Sequence, residues 1–310
     1  MVETLAERLR RPELLILDGA MGTELDRRGV VFEKGAWSGP AVLTHPDVVR
    51  EIHADYARAG AEVHIANSFA TSRHVLALAG MDDRFDEANR AAVDLCRQGI
   101  TGDGIDRPQW IAGSVSTYAE SSKRTALPPP AQLRRNLRDQ CKVLADAGVD
   151  ALALEMLMDI EVSVMLVEAA AETGLPFWAG FTCNWGDDGQ VMAGAGGYRG
   201  GNAVPLANAL DAVTAAADGA PMMMSVMHCE LDVTAAALKV VGQKWTGDIV
   251  VYPNSGRYLN PSWDFSMVCT PEAFTDAAGR WAADGARIIG GCCGLGPVHI
   301  QALAAEFSPA

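Results

Sequence analysis

The chain has 310 residues, 49% of them hydrophobic, with a formal net charge of −14 and a pI of about 4.8. That apolar content is ample for one core, while the acidic surface repels phosphate backbones and anionic lipid, which argues against nucleic acid and membrane surfaces as partners. The length itself suits one large domain or two small ones.

Residues 1–15 carry charges throughout and lack the apolar run of a signal peptide. The most apolar long stretch, 151–171, contains Glu155, Asp159, Glu161 and Glu168, so no segment is expected to span a membrane. Residues 14–20 are the first of eight short apolar runs that predict strands. The others are 62–69, 109–115, 150–157, 176–183, 222–229, 248–254 and 286–291. Segments of helical period fall between them at 47–59, 85–97, 131–147, 160–173, 203–217, 234–245 and 271–283, and a last one at 297–307 closes the pattern. Strands alternating with helices predict a parallel sheet covered by helices. Eight such units suit a closed (β/α)8 TIM barrel better than an open doubly wound sheet. No composition break divides the chain, so residues 1–310 are expected to form a single domain.

The connections 116–130 and 184–202 are long and follow strand ends, which assigns them to the C-terminal rim where barrel sites are built. Within the second, AGAGGYRGGN at 193–202 lacks the GK[ST] ending of a phosphate loop, and Arg199 stands where a dinucleotide fingerprint needs glycine. It is read as a mobile rim loop and not as a phosphate site.

Seven cysteines in a chain with no export signal point to reduced thiols and a cytoplasmic location. Cys96 and Cys141 on helices, Cys183 at a strand end and Cys269 in a loop are read as structural. Cys229 ends the sixth strand, and Cys292 with Cys293 ends the eighth, so all three open onto one rim. Zinc takes tetrahedral sulfur ligands, and catalytic sites keep one position open. Adjacent strand residues point to opposite faces, but Gly290, Gly291, Gly294 and Gly296 flank the cysteine pair and allow the backbone to leave strand geometry. Spacing alone leaves zinc and inert buried thiols equally open.

The ordered segments Leu17-Asp18-Gly19-Ala20-Met21-Gly22-Thr23, Ala59-Gly60-Ala61, Ala66-Asn67-Ser68-Phe69, Gly113-Ser114-Val115, Pro253-Asn254-Ser255-Gly256 and Ile289-Gly290-Gly291-Cys292-Cys293-Gly294 resemble the homocysteine S-methyltransferase family across essentially the whole chain. The resemblance implies a (β/α)8 barrel with Zn2+ held by Cys229, Cys292 and Cys293. It also implies that homocysteine is gripped through its amino-acid end by Asp18, Glu155 and backbone N–H groups near Gly19, with Asn67 and Ser68 also at the substrate. Two carboxylates suit an ammonium group and backbone N–H groups suit a carboxylate. The chain departs from the family at His228, where asparagine usually precedes the single cysteine. Strand alternation turns His228 away from Cys229, and a bend there would let it orient a ligand or become one.

The chemistry so implied is methyl transfer from an onium donor to a thiolate. A free thiol is only about 3% ionised at pH 7, so full ionisation gains at most roughly 30-fold, and alignment of the reacting atoms must supply more. A cationic donor suits aromatic faces; Trp37 and Tyr118, which follow the first and third strands, are the candidates. The aromatic residue that follows the second-strand Phe in animal betaine enzymes is Ala70 here. The donor is therefore expected to be S-methylmethionine or another sulfonium, with betaine as the ammonium alternative. Other thiols, demethylation of an environmental onium compound, or a non-catalytic amino-acid-binding barrel are the competing readings.

Overall fold

All eight predicted strands form. They are β1 Leu15–Ile16, β2 Val63–Ala66, β3 Trp110–Ser116, β4 Ala151–Leu157, β5 Phe177–Phe181, β6 Met222–Met227, β7 Ile249–Tyr252 and β8 Ala286–Ile289. The structure is a computed structural model, and it describes every residue except 1–2, 33–34, 103, 119–126, 195–202, 260–261 and 309–310. The strands run parallel in the order β1-β8-β7-β6-β5-β4-β3-β2. A parallel bridge between Leu17 and Val63 joins β1 to β2 and closes the ring. This is a TIM barrel, and the closure excludes the doubly wound alternative.

Among the described residues eight helices of eleven residues or more surround the ring: α1 Pro46–Ala59, α2 Phe85–Ile100, α3 Pro130–Asp146, α4 Ile160–Ala171, α5 Leu206–Ala217, α6 Leu231–Lys244, α7 Pro271–Ala283 and α8 Pro297–Phe307. Gly60 ends α1 with φ 114°, a conformation that glycine adopts without strain. α5 begins at Leu206 and not at 203, because Val204–Pro205 pairs with Val191–Ala193 in a small antiparallel sheet that also includes Cys183–Trp185. The predicted mobile loop at 193–202 lies mostly outside the described residues. No described helix is long and apolar enough to cross a membrane.

The strand period of two separates two apolar layers. Leu15 and Leu17, Val63 and Ile65, Trp110 and Ala112, and Ala151 and Ala153 fill the bore, while Ile16, Ile111, Leu152 and Leu154 face the helices. Leu5, on the short helix Leu5–Arg8, joins the inner cluster, and Trp110 Nε1 donates to Glu3 O at 3.0 Å. Glu3 precedes that helix, so the N-terminal segment plugs the end of the bore remote from the cysteines. Chemistry is left to the other rim.

Candidate active site

β4 aims its acid by alternation. Ala151 and Ala153 face the bore, so Glu155 does too, and it is buried there. Directly after it Met156 takes φ 61° and the pairing with β5 shifts register between Leu154 and Leu157. That irregularity returns Leu157 to the outer layer and leaves Glu155 as the last inward side chain of the strand. Its two oxygens are both engaged: Ser114 Oγ donates to Oε1, and Oε2 lies 2.9 Å from His228 Nε2. Ser114 belongs to a segment singled out in the sequence, but its link to Glu155 depends on the β3–β4 register and leaves no mark in spacing.

β6 ends with a reversal of faces. Met223 and Met227 belong to the inner cluster, so straight alternation would send residue 229 inward and residue 228 outward. His228 instead takes φ 54°, a left-handed conformation. The imidazole turns into the mouth, where Nδ1 lies 3.1 Å from Cys292 Sγ. Phe69 and Tyr252 flank the ring edge-on at 5.8 and 6.0 Å between centroids. Cys229 is carried to the outer cluster, where its thiol donates to Met227 O at 2.9 Å and its sulfur accepts from Cys183 N–H at 3.0 Å. The bend that the sequence left open is present, and it brings His228 forward in place of Cys229.

β8 stops at Ile289, and the cysteine pair lies on a turn beyond it, as the flanking glycines predicted. Gly294 has φ 89°, and a Cβ there would meet Ser255 O at 1.9 Å, so only glycine fits the turn. Cys292 N–H donates to Pro253 O at 2.7 Å and Ser255 N–H to Cys293 O at 2.9 Å, which fastens the turn to the loop after β7. Cys292 Sγ lies 3.8 Å from Cys293 Sγ. That matches the edge of a tetrahedron with metal–sulfur bonds of about 2.3 Å, which is about 3.8 Å. The pair therefore fits two positions on one zinc ion. Among the described residues the sulfurs of Cys229, Cys292 and Cys293 do not all lie within 4.8 Å of one another. Burial pushes the Cys292 thiol well above its ordinary range, so metal must displace a proton there.

Asp18 follows β1 and is buried. Its Oδ2 accepts from Ile65 N–H at 3.0 Å, while Oδ1 has no hydrogen-bond partner among the described residues. One ligand atom each from Asp18, His53 and His64 lies within 4.8 Å of the other two. Burial lowers His53 to about 3 and His64 to about 4, so both imidazoles are neutral at pH 7. Burial likewise pushes the Asp18 carboxyl well up. All three side chains are buried, and the two imidazoles are neutral. A Cβ at Gly19 would meet Tyr56 Cε1 at 2.5 Å and Leu295 O at 2.6 Å, which explains the glycine after Asp18.

The remaining predicted residues divide by what they already hold. Ser68 Oγ donates to Ser114 O at 2.8 Å, and the Asn67 amide exchanges hydrogen bonds with Ser38 at 3.1 and 3.2 Å. Both side chains are buried and brace the mouth. Trp37 and Tyr118, half-buried, meet in one small apolar cluster with Phe69 and Ala70. The structure thus packs both aromatic candidates against one cluster, with Tyr118 5.5 Å from Phe69, the ring that flanks His228. Cys96 and Cys141 are buried on α2 and α3, as the structural reading expected.

A family model described as homocysteine S-methyltransferase matches residues 15–307. A homocysteine S-methyltransferase of Escherichia coli is 31% identical over 96% of this chain and 96% of its own length. Betaine–homocysteine S-methyltransferase 1 of Rattus norvegicus is 28% identical over 98% of this chain and 74% of its own. The crystal structure of the E. coli homocysteine methyltransferase MmuM in its metallated form superposes with a TM-score of 0.79 at 27% identity, covering 97% of this chain and 99% of that one.

Proposed function

This chain belongs to the homocysteine S-methyltransferase family, and we propose that it moves a methyl group from a small onium donor to the sulfur of homocysteine, giving methionine. Residues 1–310 act as one homocysteine-binding barrel domain in this reading. The observation that carries it is the 3.8 Å pairing of Cys292 and Cys293 at the mouth, beside the buried acid Glu155. The metal is zinc: two thiolates come from the turn after β8, and a third ligand from the end of β6, where the family resemblance implies Cys229.

Zinc, when bound, holds the substrate sulfur as a thiolate at neutral pH. The chain's own residues do the rest. Glu155 and the unpartnered Oδ1 of Asp18 are the acceptors for the substrate ammonium, and the incoming positive charge favours ionisation of Asp18. Backbone N–H groups at Gly19 face the substrate carboxylate. Tyr118, packed on Phe69, and Trp37, against the same small cluster, offer aromatic faces to a cation. As the sulfur–methyl bond forms, the bond from methyl to the onium atom breaks, and its electron pair stays on a leaving group that departs neutral. No general base is required once the thiol proton has gone.

A sulfonium such as S-methylmethionine is the donor we favour, because Ala70 leaves the position after Phe69 without an aromatic ring. Free thiols at the metal turn suit a reducing compartment and support a cytoplasmic setting in this reading. Methionine formation from homocysteine and S-methylmethionine, lost on chelation and regained with zinc, tests the reading.

A further inference from the structure

We infer that His53 is a positioning residue for the substrate acid Asp18: its imidazole N–H turns onto the Asp18 carboxylate when the homocysteine ammonium engages that acid. This rests on the homocysteine site proposed above, in which Asp18 and Glu155 receive the ammonium. α1 carries His53 to the exit of β1. Tyr56, one helical turn further along the same face, donates to Ala20 O at 2.9 Å, and a Cβ at Gly19 would meet its ring. α2 closes on α1 from another side, where a Cβ at Gly99 would meet Arg50 O at 2.6 Å and His53 Cβ at 2.8 Å. α1 is therefore fastened to the strand end that bears Asp18, and His53 has little freedom to leave it.

His53 is fully buried, and neither ring nitrogen has a hydrogen-bond partner among the described residues. A neutral imidazole carries one N–H and one lone pair, so that N–H is idle in either tautomer. Asp18 Oδ1 is likewise without a partner, and a ring nitrogen of His53 lies within 4.8 Å of an Asp18 oxygen. His64 stands as close but cannot serve. Its Nε2 lies 2.5 Å from Gln109 Oε1, an acceptor oriented by the bond from Gln109 Nε2 to Arg107 O at 3.5 Å. His64 Nε2 therefore carries the hydrogen, and Nδ1 offers only a lone pair, which repels a carboxylate oxygen. Of the two imidazoles, His53 alone can donate to Asp18.

A buried carboxylate is costly unless charge and hydrogen bonds compensate it. Without a counter-charge, burial and the nearby Glu155 both favour the neutral form of Asp18. The substrate ammonium reverses that balance, and the ionised oxygen draws in the nearest idle donor. Hydrogen bonds at such sites commonly tighten only when substrate is bound. With Ile65 N–H on Oδ2 and His53 N–H on Oδ1, the carboxylate is fixed in the plane that meets the ammonium, and Oδ1 still has a lone pair for it. His53 thus acts on the amino end of the substrate and not on its sulfur, so it serves capture of homocysteine more than methyl transfer.

Imidazole proton and nitrogen resonances of the zinc-loaded wild-type protein, assigned from the His53 backbone, decide the question without any substitution. Saturating homocysteine, with no methyl donor present, is expected to move the His53 N–H proton downfield and slow its exchange with solvent. The des-amino thiol 4-sulfanylbutanoate is expected to leave it in place. His53 resonances unchanged by homocysteine, or moved equally by both thiols, overturn the inference. Steady-state kinetics of folded variants give a second readout. His53→Leu, which has no donor, should raise KM for homocysteine about 10-fold with kcat little changed, and His53→Gln, which keeps an N–H, should recover most of the loss. A fall in kcat at unchanged KM, or equal losses in the two variants, overturns it too. Wild-type protein that forms methionine while the His53 resonances stay in place sinks only this inference. Wild-type protein that binds no homocysteine sinks the proposed function as well.

Discussion

Gly294 donates its backbone N–H to Thr23 Oγ1 over 3.1 Å, although the two residues stand 271 positions apart. Arg27, on the same short helix Met21–Arg27, donates to Gly294 O at 3.0 Å. The turn that carries the cysteine pair is thus held by the segment that follows β1. This contact gives a structural reason for the first and last of the ordered segments to occur together. In Thr23→Val the buried N–H of Gly294 loses its acceptor, which costs about 1–3 kcal/mol. Zinc affinity should fall with stability, and denaturant titration alongside a chelator competition would measure both. Unchanged values in both would separate the helix from the metal turn.

Cys292→Ala is expected to remain folded and to lose metal and activity together. Its side chain is small and sits at the rim of the inner cluster, so the packing loss is minor compared with the loss of a ligand. Metal analysis and circular dichroism of the same sample provide the check. A metal-free variant that still forms methionine would contradict the assignment.

Asp18→Asn keeps an acceptor for Ile65 N–H but removes the charge offered to the substrate ammonium. The lost charge-assisted hydrogen bond, about 1.5–3 kcal/mol, lowers kcat/KM for homocysteine by about 10- to 100-fold. The des-amino analogue 4-sulfanylbutanoate should be far less affected. Equal losses for both thiols would show that Asp18 acts on the fold and not on the ammonium group.

His53 and His64 make stability depend on acid. Burial holds their folded-state values at about 3 and about 4, below the ordinary value of 6.5. The stability they contribute is therefore complete above pH 6.5 and is lost as pH falls towards 4 and then 3. Urea midpoints should drop between pH 7.5 and pH 5, and a His53→Asn variant should drop less steeply. Identical slopes in the two proteins would contradict the buried, neutral state of His53.

The barrel was legible because each strand and helix carries its own period. α7 and α8 have the predicted bounds, and all eight strands lie within or one residue beyond their apolar runs. The strand ends were less legible. Alternation read on from Met227 assigns Cys229 to the bore, and one positive φ at His228 reverses that assignment without any change in composition or spacing. Glycines announced the turn at Cys292 because no other residue fits there, whereas a histidine in a left-handed conformation gives no such signal. The link from Ser114 through Glu155 and His228 to Cys292 joins three strand ends and a turn, so it exists only once the barrel is closed. Asp18 and Glu155 were identifiable as acids at strand ends, but the engagement of Glu155 by His228 was not.

Passage of a methyl group from an onium donor to homocysteine at this rim leaves an isotopic signature in the product. Zinc-loaded protein incubated with carbon-13 homocysteine and S-methylmethionine deuterated in both S-methyl groups gives the sharpest test, because mass spectrometry then separates methionine made from the acceptor from methionine left by the donor. The methionine formed from homocysteine should carry the deuterated methyl group, and none should form with Cys292→Ala. Homocysteine left unmethylated by this donor, by other sulfonium compounds and by betaine, with zinc bound in stoichiometric amount, would contradict this transfer.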